Sequence, residues 1–190
     1  RHKATITATG ADSIRYVWTK DTALPSYGWQ TIKSGTQLTE SRGTPGQTQT
    51  WYLHVLATAA SGASTHTYKD FTFMNPAITD VSVRAGSMAA SADAANVWKS
   101  GKYIVVQYAG AQSTGTTLTF DGPKKEVKSI TSSNGSANLY VTENGSYTVT
   151  LTDTYENVIS KTIEVKKIDS KRPTVTLRGA VPERTRYTMS

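Results

Sequence analysis

The stretch Glu143-Asn-Gly-Ser-Tyr-Thr-Val-Thr-Leu-Thr-Asp153 decides the fold. Its first seven residues have the acidic-x-Gly-x-Tyr-x-apolar spacing of a tyrosine corner. There a Tyr hydroxyl bonds back to the backbone just upstream and locks a strand as it crosses between sheets. Tyr147, Val149, Leu151 and Asp153 share one face of the strand that follows, because side chains alternate with a period of two along extended backbone. Val158–Val165 reads as the returning partner after a turn at Thr154–Asn157.

Outward from this hairpin the pattern stays β. Lys102–Tyr108 and Thr116–Phe120 are strongly β-forming runs, and Asn134-Gly135 and Asn144-Gly145 lie between alternating segments. Asn-Gly accepts positive φ at both residues, so each pair is expected to make a tight β-turn. Lys3–Thr9 alternates strictly, Ile14, Tyr16 and Trp18 mark one face of a second strand, and Trp51, Leu53, Val55 and Ala57 mark one face of a third. The alternation aims Trp18 and Trp51 at the core. Thr65–Phe73 completes this set, and no helix is expected beyond a single turn at Ala89–Ala95.

Pro76 reads as a boundary, since the alternation restarts at once with Ile78, Val81 and Val83. Pro76-Ala-Ile-Thr79 is echoed by Pro173-Thr-Val-Thr176, 97 residues later. That period suits tandem immunoglobulin-like sandwiches with short strands. The expected class is therefore all-β, with two such sandwiches. Residues 1–75 form the first, apparently without its first strand, and 76–169 form the second. Residues 170–190 are a linker and the first strand of a next or swapped unit, which places Pro173, Val175 and Leu177 in any strand exchange.

Composition narrows the class further. The 190 residues include 50 Ser and Thr but only 18% charged residues. That is too β-branched for a disordered tail. There is no Cys, which excludes disulfides and cysteine metal sites or nucleophiles. No apolar run approaches the roughly 18 residues that span a bilayer, and a chain opening on Arg1 reads as a mature protein or a fragment. The net charge of +7 is concentrated at the end: residues 161–190 hold 8 basic and 3 acidic side chains.

Three stretches resemble the tandem bacterial immunoglobulin-like repeats of secreted and cell-wall proteins. Ala11-Asp-Ser-Ile-Arg-Tyr-Val-Trp-Thr19 is similar to the repeat's second-strand pattern, Trp51-Tyr-Leu-His-Val-Leu-Ala57 to its Tyr-Tyr-Leu-His-Val-x-Ala strand, and Gly145–Asn157 to its Gly-x-Tyr…Asp-x-x-Gly-Asn hairpin. The hairpin departs from the pattern at Glu156, where Gly is usual, and the first unit reads Ala59-Ala-Ser-Gly62 there. Val149 takes the slot that is Cys in antibody domains, so a core of Tyr, Val and Leu must replace the disulfide. The resemblance implies an extracellular or cell-surface location and neighbouring immunoglobulin-like domains or like subunits as partners. It also raises a Lys–Asn or Lys–Asp isopeptide bond, but neither Lys69 nor Lys102 has a matching buried acid in the sequence.

Catalytic signatures are absent from the sequence. There is no Gly-x-Ser-x-Gly elbow, His-Glu-x-x-His, phosphate loop or dinucleotide fingerprint. The expectation is a non-enzyme without cofactor or metal. His54 and His66 on neighbouring strands are two zinc or nickel ligands short of a third, and read more simply as solvent-facing. Asp153 and Asn157 suit turn capping better than a Ca²⁺ site. Aromatic faces stack on sugars, and a ligand patch of Trp29, Tyr27, Tyr52 and His54 is expected, with Trp29 the most exposed. The basic stretch Lys161–Arg186 could meet an anionic wall polymer, but no motif points to specific nucleic-acid binding and no membrane span is expected. Function is expected to be structural or adhesive, as a stalk or binding module. The alternatives are a strand-exchanging subunit of an extracellular filament or phage particle, and a carbohydrate-binding accessory module of a glycan-degrading enzyme.

Overall fold

A computed structural model describes residues 1–85 and 96–179. The described chain is all-β. Six strands precede Pro76: β1 (His2–Ile6), β2 (Ser13–Thr19), β3 (Gln30–Ile32), β4 (Thr36–Glu40), β5 (Thr48–Thr58) and β6 (Ser64–Met74). Seven follow it: β7 (Ala77–Ala85), β8 (Lys102–Ala109), β9 (Thr117–Asp121), β10 (Glu126–Ser129), β11 (Gly135–Val141), β12 (Gly145–Thr152) and β13 (Val158–Val165). The Ala89–Ala95 turn lies outside the described residues.

The two halves repeat one strand order. Sheet β3-β2-β5-β6 of the first half matches β10-β9-β12-β13 of the second, and β1-β4 matches β8-β11. Among the described residues the second half has one strand more: β7 adds antiparallel to the outer edge of β8, while β1 pairs only with β4. Each half buries its own apolar cluster between its two sheets. One contains Ile6, Ile14, Trp18, Leu53 and Phe73. The other is larger and includes Ile104, Leu118, Phe120, Leu139, Tyr147, Val149 and Leu151.

Strand β12 has the alternation its sequence dictates. Tyr147, Val149 and Leu151 are fully buried, while Thr148 and Thr150 face outward and share hydroxyl hydrogen bonds of 3.0 and 2.8 Å with Thr162 and Ser160. The Tyr147 hydroxyl donates to the Glu143 carbonyl at 3.1 Å, the contact of a tyrosine corner. Burial first, and the Glu143 carboxylate second, push the Tyr147 phenol pKa up. Asp153 caps the following turn: its Oδ1 accepts from the amides of Tyr155 and Asn157, and its Oδ2 from Asn157 Nδ2 at 2.7 Å. Glu156 occupies the left-handed position of that turn, with φ 66°.

Both Asn-Gly pairs differ from the expected tight turns. β10 and β11, which flank Asn134-Gly135, belong to opposite sheets, as do β11 and β12, which flank Asn144-Gly145. A two-residue hairpin joins neighbours in one sheet, so these segments are crossings instead. Their asparagines act as clamps. Asn134 Oδ1 accepts from Gly110 N at 3.0 Å, and Asn144 holds both backbone groups of Ile168, at 2.8 and 2.9 Å.

The C-terminal segment, expected to be a linker and the first strand of a next or swapped unit, pairs with no strand among the described residues. Residues 170–179 have no strand partner, and Val175 and Leu177 are 88% and 86% exposed. A single strand gains no ladder of hydrogen bonds without a free edge beside it.

The halves meet at a short link. Asn75 Nδ2 donates to Arg42 O at 2.8 Å, Asn75 O accepts from Gly46 N at 2.6 Å, and Pro76 is buried. Gly110, at φ 69°, fits here because a Cβ would lie within 3.0 Å of backbone atoms of Gly46, Asn75 and Gln47.

Candidate functional site

The first half carries a cleft of about 760 Å³ between the inner face of β2–β3, the end of β4 and the 20–28 loop. Tyr16 and Trp18 line it because they fall on the inward face of β2, and Trp51 because β5 pairs beside β2, with Trp18 opposite Leu53. The open side exists because only β1 and β4 face this four-stranded sheet.

Polar groups converge on those rings. The Tyr16 hydroxyl donates to Gln30 Oε1 at 2.8 Å. The Arg42 guanidinium lies 4.7 Å from the Trp51 ring centre and 5.4 Å from that of Trp18, and Lys20 Nζ lies 4.3 Å from Trp51. Arg42 Nε also sits 3.0 Å from Glu40 Oε1, as an ion pair without aligned hydrogen-bond geometry. Lys20 and Arg42 are thus matched by Asp21 and Glu40, and the lining has little net charge. The indole N–H groups of Trp18 and Trp51 are buried with no hydrogen-bond partner among the described residues. A buried donor without an acceptor costs about 1–3 kcal/mol.

The loop that walls the cleft is fastened from the far side of the sheet. His54 is fully buried, and its Nε2 lies 2.8 Å from both Asp21 O and Thr19 Oγ1. The Thr19 hydroxyl itself donates to Asp21 O at 2.8 Å, and a carbonyl only accepts, so His54 Nε2 carries the proton. Nδ1 is then the acceptor, and His66 Nε2–H donates to it over 2.9 Å. Burial and the neighbouring His54 hold the His66 pKa below its ordinary value of 6.5.

These positions differ from the ligand patch expected from sequence. His54 is not solvent-facing, because the 20–28 loop folds over it. Trp29 is half-buried rather than exposed, since its Nε1 donates to Pro25 O at 3.0 Å and anchors the same loop. Tyr27, 84% exposed, stands on the cleft rim. Tyr52 lies on the opposite face beside Tyr68, ring centres 6.0 Å apart. Of the four, only Tyr27 lines the cleft. Sequence reasoning missed Gln30, Glu40 and Arg42; its assignment of Trp18 and Trp51 to the core holds, since Trp18 is buried in the first cluster and Trp51 packs against it, and both also line the cleft. The charged pair two residues apart at the end of β4 was the one available signal.

Among the described residues no three His, Asp or Glu side chains are grouped to hold a metal ion, and no helix is long and apolar enough to cross a membrane. No protein-family model matches the chain, and no curated protein is significantly similar to it.

Proposed function

We propose that this chain is a non-catalytic, adhesive stalk segment of an extracellular bacterial surface protein, built of tandem immunoglobulin-like units, and that its first unit takes a neutral saccharide in the cleft. The repeated strand order on either side of Pro76 supports the tandem reading. The observation that carries the binding reading is the set of three aromatic side chains, Tyr16, Trp18 and Trp51, that lines one cleft together with Lys20, Asp21, Glu40 and Arg42. A sugar suits such a lining: its hydroxyls donate to Glu40 and accept from Arg42, while its apolar ring faces lie against Tyr16. The balance of Lys20 and Arg42 with Asp21 and Glu40 favours a neutral ligand over an anionic wall polymer.

The test is a titration with neutral and sulfated oligosaccharides, followed by tryptophan emission and calorimetry. Neutral sugars should bind saturably and shift the emission. Trp51→Ala, which removes the ring that Lys20 and Arg42 pack against, should weaken binding about ten-fold. No binding, or binding indifferent to Trp51→Ala and Glu40→Gln, removes the proposal.

A further inference from the structure

The second half contains the solution to a problem the first half leaves open. There, β7 lies along the edge of β8 and also packs against β13, closing the side of the sandwich. Ile78 and Val83 are buried as a result. In the first half, no strand among the described residues lies along the matching edges of β1 and β6. Between them runs an apolar groove of about 220 Å³, with Ala4 and Ile6 on one wall, Phe71 on the other and Leu53 and Val55 at its floor. His2 closes one end by hydrogen bonding through Nε2 to Thr72 O.

A second vacancy accompanies the groove. Gly10-Ala11 stands just after β1 as Gly110-Ala111 stands just after β8, and the two glycines share left-handed φ values of 73° and 69°. At Gly110 the notch is filled by the backbone of the preceding half, at Gly46, Gln47 and Asn75; at Gly10 nothing lies within 4 Å of a Cβ position. The first half thus keeps the backbone shape of a docking notch with nothing docked.

The chain also carries an unpaired segment of the right kind. Pro173-Thr-Val-Thr-Leu177 repeats the opening of β7, and Val175 and Leu177, two residues apart, present exposed apolar side chains on one face. It cannot reach its own groove. Asn157, at the start of β13, touches Met74 O at the link, and β13 then runs about 25 Å away from it. Ile168 and Asp169 are held at the far end by Asn144 and Lys99. Four residues from Asp169 to Pro173 span at most ~14 Å.

We propose that residues 173–179 of a second copy of this chain add as a strand to β1, with Val175 and Leu177 in the groove and the second copy's end seated at Gly10. Val175 takes the place that Ile78 holds in the second half, while Leu177, where β7 has the exposed Asp80 after a bulge, reaches the same groove when the strand is regular. Donor and acceptor surfaces lie on opposite ends of one chain, so the contact is head-to-tail and grows linear assemblies rather than closed dimers. It goes beyond the saccharide reading and does not depend on it.

Light scattering of the full chain from micromolar to millimolar concentration should show a mass that rises with concentration. Val175→Asp with Leu177→Asp should abolish the rise while leaving the circular dichroism unchanged, since both side chains are exposed. A peptide of residues 172–179 should cap the assemblies and shift the amide resonances of Lys3–Thr7 and of residues 67–71. A monomer at every concentration together with a peptide that does not bind overturns the proposal. So does assembly that survives the double substitution, which is also the result if any other segment fills the groove.

Discussion

His54 Nδ1 and His66 Nε2 lie 2.9 Å apart with ring planes within 4° of each other and ring centres 5.2 Å apart. The nitrogens are closer than stacked faces allow, so the rings meet edge to edge in a common plane. The bond needs one neutral acceptor, and His54 is that acceptor because its other nitrogen is committed to Asp21 O. The pair therefore links the outer face of β6 to the loop that walls the cleft.

Stability should fall on acidification through this pair. The His66 pKa is depressed in the folded state, so below 6.5 the unfolded chain takes up a proton that the fold resists. Stability is full above the unfolded value and declines as pH falls from there toward the folded one. Thermal unfolding across this window should show the decline. His66→Gln, which keeps an N–H donor without a titrating ring, should flatten it; an unchanged slope would show that other groups set the pH dependence.

Glu156→Gly should stabilise the chain by about 1 kcal/mol. A non-glycine residue in the left-handed region costs roughly 1–2 kcal/mol, offset in part by the greater freedom of glycine in the unfolded state. Glu156 sits at φ 66°, and its contact with Arg1, 3.8 Å between exposed groups, contributes little. Denaturant unfolding measures the gain.

Tyr147→Phe should destabilise by about 1–2 kcal/mol, because it removes the donor to Glu143 O while leaving the buried ring in place. Chemical denaturation of the variant, with the slope unchanged, gives the value. A change below a few tenths of a kcal/mol would mean that water replaces the hydroxyl at the corner.

Gly110→Ala and Gly10→Ala should separate sharply in the monomer. Both place a Cβ at positive φ, at a cost of about 1 kcal/mol. Only Gly110 would also drive that atom into backbone at Gly46, Asn75 and Gln47. A total loss of about 2–4 kcal/mol is expected for Gly110→Ala, against about 1 kcal/mol for Gly10→Ala. Equal losses in parallel thermal melts would mean that the link between the halves yields easily.

Local features of the strands are legible in the residues alone. The period-two alternation of Tyr147, Val149 and Leu151 fixes which side chains enter the core, because the strand's own geometry puts them on one face. The Glu143…Tyr147 corner is similarly local, since its two partners are four residues apart. The echo of Pro76 at Pro173 was also legible without coordinates. Asn134-Gly135 and Asn144-Gly145 were misread because a hairpin and a sheet crossing use similar turn residues, and only the pairing of distant strands distinguishes them. The burial of His54 depends on where the 20–28 loop lies, because Thr19 at the end of β2 and Asp21 in that loop meet it from a part of the chain remote from β5. The cleft likewise exists only after β4 brings Glu40 and Arg42 to the Trp18 and Trp51 rings. Strand composition encodes faces, whereas sites arise from non-local pairings whose energy no single segment contains.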